Sequence, residues 1–222
     1  MKISEPRSTP APRRRISWRP LLILIPLALS SCEPPRPNSG VTMGEFRDVA
    51  DFSFTTQEGE SLSRNELKGK IWIANFIFTS CAAECLVLSS RLAELQMHYR
   101  DYEDVAFVSF SVDPQSDTPE RLHQYAGKWH ANPERWHFLT GDTTAIDDIV
   151  VNSFLLPATR DPVEAGKLFS ETLIHSSRFA IVDRTGKVRA YVDGMPPESV
   201  QTISQIIMQL LQEPLPTSTD QT

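Results

Sequence analysis

The chain has 222 residues, 40% of them apolar and 23% charged, with a formal net charge of −6. That suits one globular domain with appendages, and excludes both two full domains and a disordered chain. The charge is uneven: residues 1–31 hold six Lys and Arg against Glu5 alone, leaving about −11 on residues 32–222, with no basic run there to bind nucleic acid.

Arg13–Arg15 and Arg19 precede the apolar run Leu21–Leu29, and Ser30, Ser31 and Cys32 follow. Basic, apolar and small-residue regions in that order predict a signal peptide over 1–31. The run is too short to span a bilayer, which takes roughly 20 residues. Leu29-Ser30-Ser31-Cys32 matches the bacterial lipobox, and that resemblance implies cleavage before Cys32 and lipidation of its thiol. The expected location is therefore the bacterial cell envelope, exported and lipid-anchored to a membrane. An ordinary secretory signal and a twin-arginine route are the alternatives. Residues 32–45 include Pro34, Pro35, Pro37 and Gly40 and read as an extended linker. The domain is expected over 46–212, and the polar residues 213–222 as a disordered tail.

Phe52–Thr55 alternates apolar and polar residues ahead of Glu58-Gly59-Glu60, which predicts an N-terminal hairpin. Ile71–Phe78 is almost wholly apolar, as a central strand buried on both faces must be. A helix follows from about Ala83 to Tyr99, with Leu88, Leu92, Leu95 and Tyr99 on one face. Val105–Val112 is a second buried strand ending at Asp113-Pro114. Asp117 and Thr118 then cap a helix that has Pro119 in its first turn and runs to about Trp129. Trp136–Leu139 is a short strand, and Asp142 caps a helix through Phe154. After a polar insert, 157–172, strands 178–182 and 188–192 are joined by the turn Asp183–Gly186. Pro197 opens a last helix that buries Val200, Ile203, Ile206, Ile207 and Leu210. Strands alternating with helices, then a closing hairpin, predict an α/β fold: a thioredoxin-like mixed central sheet flanked by helices. Reactive residues then belong at the carboxyl ends of the central strands.

Cys81 and Cys85 lie just past such a strand. Four residues apart, they close too small a loop for a useful structural disulfide, and so read as reactive. With a helix starting near Ala82, the two thiols share one face, one turn apart. The helix N-terminus favours a thiolate, which makes Cys81 the expected nucleophile. Two thiolates also form a soft chelate suited to Cu(I), and with an imidazole to Cu(II). Of the five histidines, His98, His123, His130 and His137 read as surface residues. His175 is set apart: it precedes strand 178–182, where thioredoxins carry a cis-proline facing the cysteine helix. Asp113 could tune the site from the end of its strand, but it reads first as the shaper of the Asp-Pro turn.

FIFTSCAAECLVLSSRL, SFSVDPQSDTPERL, FLTGD and IHSSRFAIVDRTGKV together resemble the Sco/SenC family of copper chaperones for cytochrome oxidase assembly, over about residues 46–211. The resemblance implies copper held by Cys81, Cys85 and His175, a thioredoxin-like fold and redox activity of the same cysteine pair. It implies a partner that is a copper-receiving oxidase subunit or another cysteine-containing exported protein, with a monomer as the default. Two positions depart from the family pattern. Leu86 replaces the usual proline after the second cysteine, and Ile174 replaces the usual aspartate before the histidine. Glu84 or Glu171 could restore the missing negative charge. A thiol-disulfide oxidoreductase without copper is the alternative function. A peroxidase is disfavoured by Phe78, which stands where a Thr or Ser would precede the nucleophile. A zinc site with two Cys and one His lacks an evident general base.

Overall fold

The computed structural model describes residues 41–44, 46–155 and 176–214. The signal peptide, Cys32, the insert 157–172, Ile174, His175 and the end of the tail lie outside the described residues.

The described residues form one mixed sheet of eight strands. In chain order these are β1 (Val41–Met43), β2 (Ser53–Thr56), β3 (Ser61–Ser63), β4 (Ile71–Ile77), β5 (Val105–Ser111), β6 (Trp136–Thr140), β7 (Arg178–Val182) and β8 (Val188–Asp193). Their spatial order is β1-β8-β7-β4-β5-β6-β2-β3. The central strands β4, β5 and β6 run parallel, and the flanking pairs are antiparallel. The helices are α1 (Glu84–His98), α2 (Pro119–Lys128), α3 (Thr143–Asp148), continued by a π-helical turn over Ile149–Ser153, and α4 (Ser199–Gln212). This is the thioredoxin-like architecture expected, with β2 and β3 as its N-terminal hairpin.

Every residue of β4 and β5 is buried, because both faces of the sheet are covered. On one face Leu88 of α1 abuts Phe179, and Tyr125 of α2 packs on Phe138. α4 joins the same layer through Tyr99, whose hydroxyl donates to the Ser204 carbonyl (3.1 Å). On the other face Phe154, beside the π turn, meets Trp72, Phe76 and Phe110, and Phe52 and Phe54 of the hairpin segment complete that aromatic layer. Each such fully buried side chain contributes about 1.5–3 kcal/mol over its exposed state. The α4 face is the expected one, with Val200, Ile203, Ile206, Ile207 and Leu210 buried.

Three boundaries differ from expectation. Residues 41–43, read as linker, pair with β8 and add an edge strand; three residues are too few to show a period in sequence. Glu213, read as the start of a disordered tail, is held at both carboxylate oxygens by Arg189 (2.8 and 2.9 Å). Asp117 is not a helix cap: Thr118 caps α2 through its hydroxyl, which accepts from the Arg121 amide. Asp117 turns inward instead and is 1% exposed.

Candidate thiol site at the end of the central strand

β4 delivers the chain to the cysteines at its carboxyl end. The amide of Cys81 donates to the Phe78 carbonyl (3.1 Å), so 78–81 forms a tight turn beyond the strand. α1 begins at Glu84 with Ala83 as its N-cap, close to the expected start, so Cys81 precedes the helix and Cys85 lies in its first turn. The arrangement still joins them: the Cys85 amide donates to the Cys81 sulfur at 3.5 Å. That sulfur takes up one of the helix N-terminal amides left without an intrahelical partner, since residue 83, the N-cap, is alanine and has no side-chain acceptor. Both thiols are free.

Their surroundings are unequal. Cys81 is partly exposed, whereas Cys85 is 5% exposed. Burial pushes the Cys85 thiol up to about 12, with Cys81 and Glu84 acting in the same direction against a hydrogen bond with the Phe78 backbone. At neutral pH Cys85 therefore keeps its proton until another cation or a bond replaces it. Leu86 is 39% exposed, and its amide donates to the Ala83 carbonyl (3.2 Å). A proline there has no N–H and could not make that bond.

Two residues that sequence reasoning passed over hold this loop. The Asp117 carboxylate accepts from the Thr79 amide (3.0 Å), the Thr79 hydroxyl and the Ser111 hydroxyl (2.7 Å). Thr79 stands between β4 and Cys81, so a buried acid 38 positions along the chain fixes the approach to the first thiol. The signal was present: Thr118 suffices to cap α2, which leaves the preceding acid spare. Tyr125 is the second. Its hydroxyl donates to the Cys85 carbonyl (3.3 Å) and shares a hydrogen bond with Ser89 (2.9 Å). Burial pushes this phenol up to about 12, which keeps it a donor.

Asp113 is buried, and its carbonyl accepts from the amides of Ser116 and Asp117, shaping the turn after β5. His98, His123 and His130 are exposed, as expected. His137 is a correction: it sits half-buried on β6, and burial lowers its pKa to about 4, with Lys70 adding to the effect. Among the described residues no group of three or more His, Cys, Asp and Glu is placed to hold a metal. His175 lies outside the described residues, but the strand it precedes is placed. β7 pairs antiparallel with β4 through Trp72↔Val182 and Ala74↔Ala180. β7 therefore starts beside the end of β4 that leads to Cys81. A groove of about 490 Å³ between α1 and α4, lined in part by His98, Tyr102 and Met208, lies toward the other end of α1 and is remote from the thiols. No helix among the described residues is long and apolar enough to cross a membrane.

Comparison with known proteins agrees with this fold. The sequence pattern of the SCO1/SenC family matches residues 42–212. A SCO1/SenC family lipoprotein from Bacillus anthracis is similar in structure, with a TM-score of 0.66 and 30% identity, covering 74% of this chain and 95% of its own. BsSco, a Sco family cytochrome c oxidase assembly protein in which a disulfide switch was identified, gives 0.63 and 30%, over 78% of this chain and 98% of its own. Copper-bound ScoI of Bradyrhizobium japonicum gives 0.61 at 22% identity, over 74% and 99%, a likeness of fold alone.

Proposed function

From the premise that the chain belongs to the SCO1/SenC family, we propose that it is a membrane-tethered copper-binding protein that assists assembly of the copper site of a respiratory oxidase. The observation that carries the proposal is the pair of free thiols joined by the bond from the Cys85 amide to the Cys81 sulfur, at the carboxyl end of the central strand. Two sulfurs so close in sequence, the first held by the backbone amide of the second cysteine, offer a soft chelate, which selects Cu(I). Copper is the cargo: it displaces the proton that Cys85 otherwise keeps. His175 is the proposed third ligand, supported by the start of β7 at the same end of the sheet. The proposed anchor is a lipid on Cys32, as the lipobox resemblance implies and as the lipoprotein relative parallels. The envelope is the proposed location.

A second reading rests on the unequal burial of the thiols. Cys81 is accessible and can attack a partner disulfide, while buried, protonated Cys85 waits to resolve the mixed disulfide. The two readings use the same atoms and are compatible.

The test uses the whole chain with Cys32→Ser, reduced and anaerobic, so that Cys81 and Cys85 are its only thiols. One equivalent of Cu(I) is expected to bind tightly, and His175→Ala to weaken it severalfold. Weak binding that His175→Ala leaves untouched, with the cysteine pair cycling freely as a disulfide, would overturn the copper reading in favour of a thiol reductase.

A further inference from the structure

We propose that the side of α2 turned toward Thr79 is a docking cleft for an acidic segment of the partner protein. The inference rests on the thiol chemistry proposed above and adds what selects the partner. Arg121, Gln124, Tyr125 and Lys128 follow the spacing i, i+3, i+4, i+7 and so form one stripe along α2. With Thr79 they line a cleft of about 140 Å³. That is room for one or two short side chains rather than for an extended organic ligand, since drug-sized sites begin at about 300 Å³.

The stripe carries two cations and no acid, on a body whose charge is about −11. Arg121 is exposed, and among the described residues its guanidinium meets no carboxylate. The Lys128 ammonium stands 5.7 Å from the centre of the Tyr125 ring. Three acids of the region make hydrogen bonds of their own: Glu120 with the Thr118 hydroxyl, Glu58 with His123 (3.1 Å), and Asp117 with Thr79 and Ser111. The cleft is also tied to the chemistry. Thr79 is two residues before Cys81, and Tyr125 donates to the carbonyl of Cys85. A carboxylate held between Arg121 and Lys128 therefore lies against Tyr125, whose hydroxyl bonds the peptide that carries the second thiol. A partner with acidic side chains flanking its own cysteines is drawn in and oriented, whereas a basic one is turned away.

Disulfide exchange supplies the readout. Cys81 and Cys85 give two electrons and two protons to a probe disulfide, closing their own S–S bond and leaving two thiols on the probe. The whole chain with Cys32→Ser is reduced, and its oxidation by anionic glutathione disulfide is compared with oxidation by cationic cystamine, at low and high salt. The ratio of the two rates is expected to favour glutathione disulfide at low salt and to shrink as salt screens the cleft. Arg121→Ser with Lys128→Ser is expected to lower the low-salt ratio about tenfold, and Arg121→Lys to keep it. Both positions are exposed, so folding is not at stake. A ratio unchanged by the double substitution, with exchange otherwise normal, overturns the docking cleft and leaves the thiol reading intact. No exchange with either disulfide overturns the inference together with the thiol chemistry beneath it.

Discussion

Replacing Asp117 with alanine tests whether the approach to Cys81 is held by a buried acid. Its carboxylate accepts three hydrogen bonds, from the amide and hydroxyl of Thr79 and the hydroxyl of Ser111. A hydrogen bond to a charged group contributes about 1.5–3 kcal/mol, and a buried donor left without a partner costs about 1–3 kcal/mol. Thr79 is partly exposed, so water recovers some of its loss, whereas Ser111 is fully buried. Asp117→Ala should therefore lose about 3 kcal/mol, a large share of a typical domain's stability. Asp117→Asn keeps one acceptor oxygen but turns an N–H toward donors, and should lose about half as much. Urea unfolding with the m-value held in view measures the stability, and Cu(I) competition measures the site. Copper affinity should fall along with stability, because Thr79 leads directly into the Cys81 turn. An Asp117→Ala protein within about 0.5 kcal/mol of the parent, which is the range of an ordinary surface substitution, would refute the clamp.

Copper affinity should rise with pH. Cys85 keeps its proton up to about 12, so copper must displace it, and apparent affinity should increase about tenfold per pH unit through neutrality for that proton; a flat profile would show that copper does not engage Cys85. Acid should destabilise the fold through His137. Its folded pKa is about 4 against 6.5 for a free imidazole, so its contribution is complete above about 6.5 and is lost as pH falls toward 4, and His137→Leu should flatten that limb in urea midpoints taken across the range. Gly194→Ala should destabilise by about 1–3 kcal/mol, because a Cβ there would lie 2.3 Å from Leu88 and 2.5 Å from Phe179. Adding Leu88→Ala should recover part of that loss, and simple additivity of the two substitutions in thermal unfolding would refute the clash.

Much of the fold was readable because its signals are local. An apolar run such as Ile71–Ile77 and the helical spacing of Leu88, Leu92 and Leu95 each state their own burial. The spacing of Cys81 and Cys85 likewise picked out two residues that the fold brings together beyond the end of β4. What could not be read depends on partners far along the chain. Nothing near Asp117 says that it reaches Thr79, nor near Tyr125 that it reaches Cys85. The helix-terminus argument already set Cys81 apart as the expected nucleophile, and packing adds that Cys85 is buried and keeps its proton. His137 read as a surface residue because one polar residue in a short strand shows no face of its own. Arg189 gives Glu213 a fixed place across 24 positions, a bond that a polar tail composition conceals.

The pairing of β1 fixes the direction from which the chain enters the fold. Val41 lies opposite Val192, and Asp193 lies opposite Arg178, so Val41 is at the end of the sheet where β7 starts and where β4 releases the cysteine loop. The chain thus enters the sheet at the end that carries the thiols. A lipid at Cys32 would hold that end within the reach of nine residues, about 30 Å fully extended. Such a tether would confine the thiols to a thin layer over the bilayer, and a partner would have to present its acceptor at the membrane surface, not deep in the surrounding fluid.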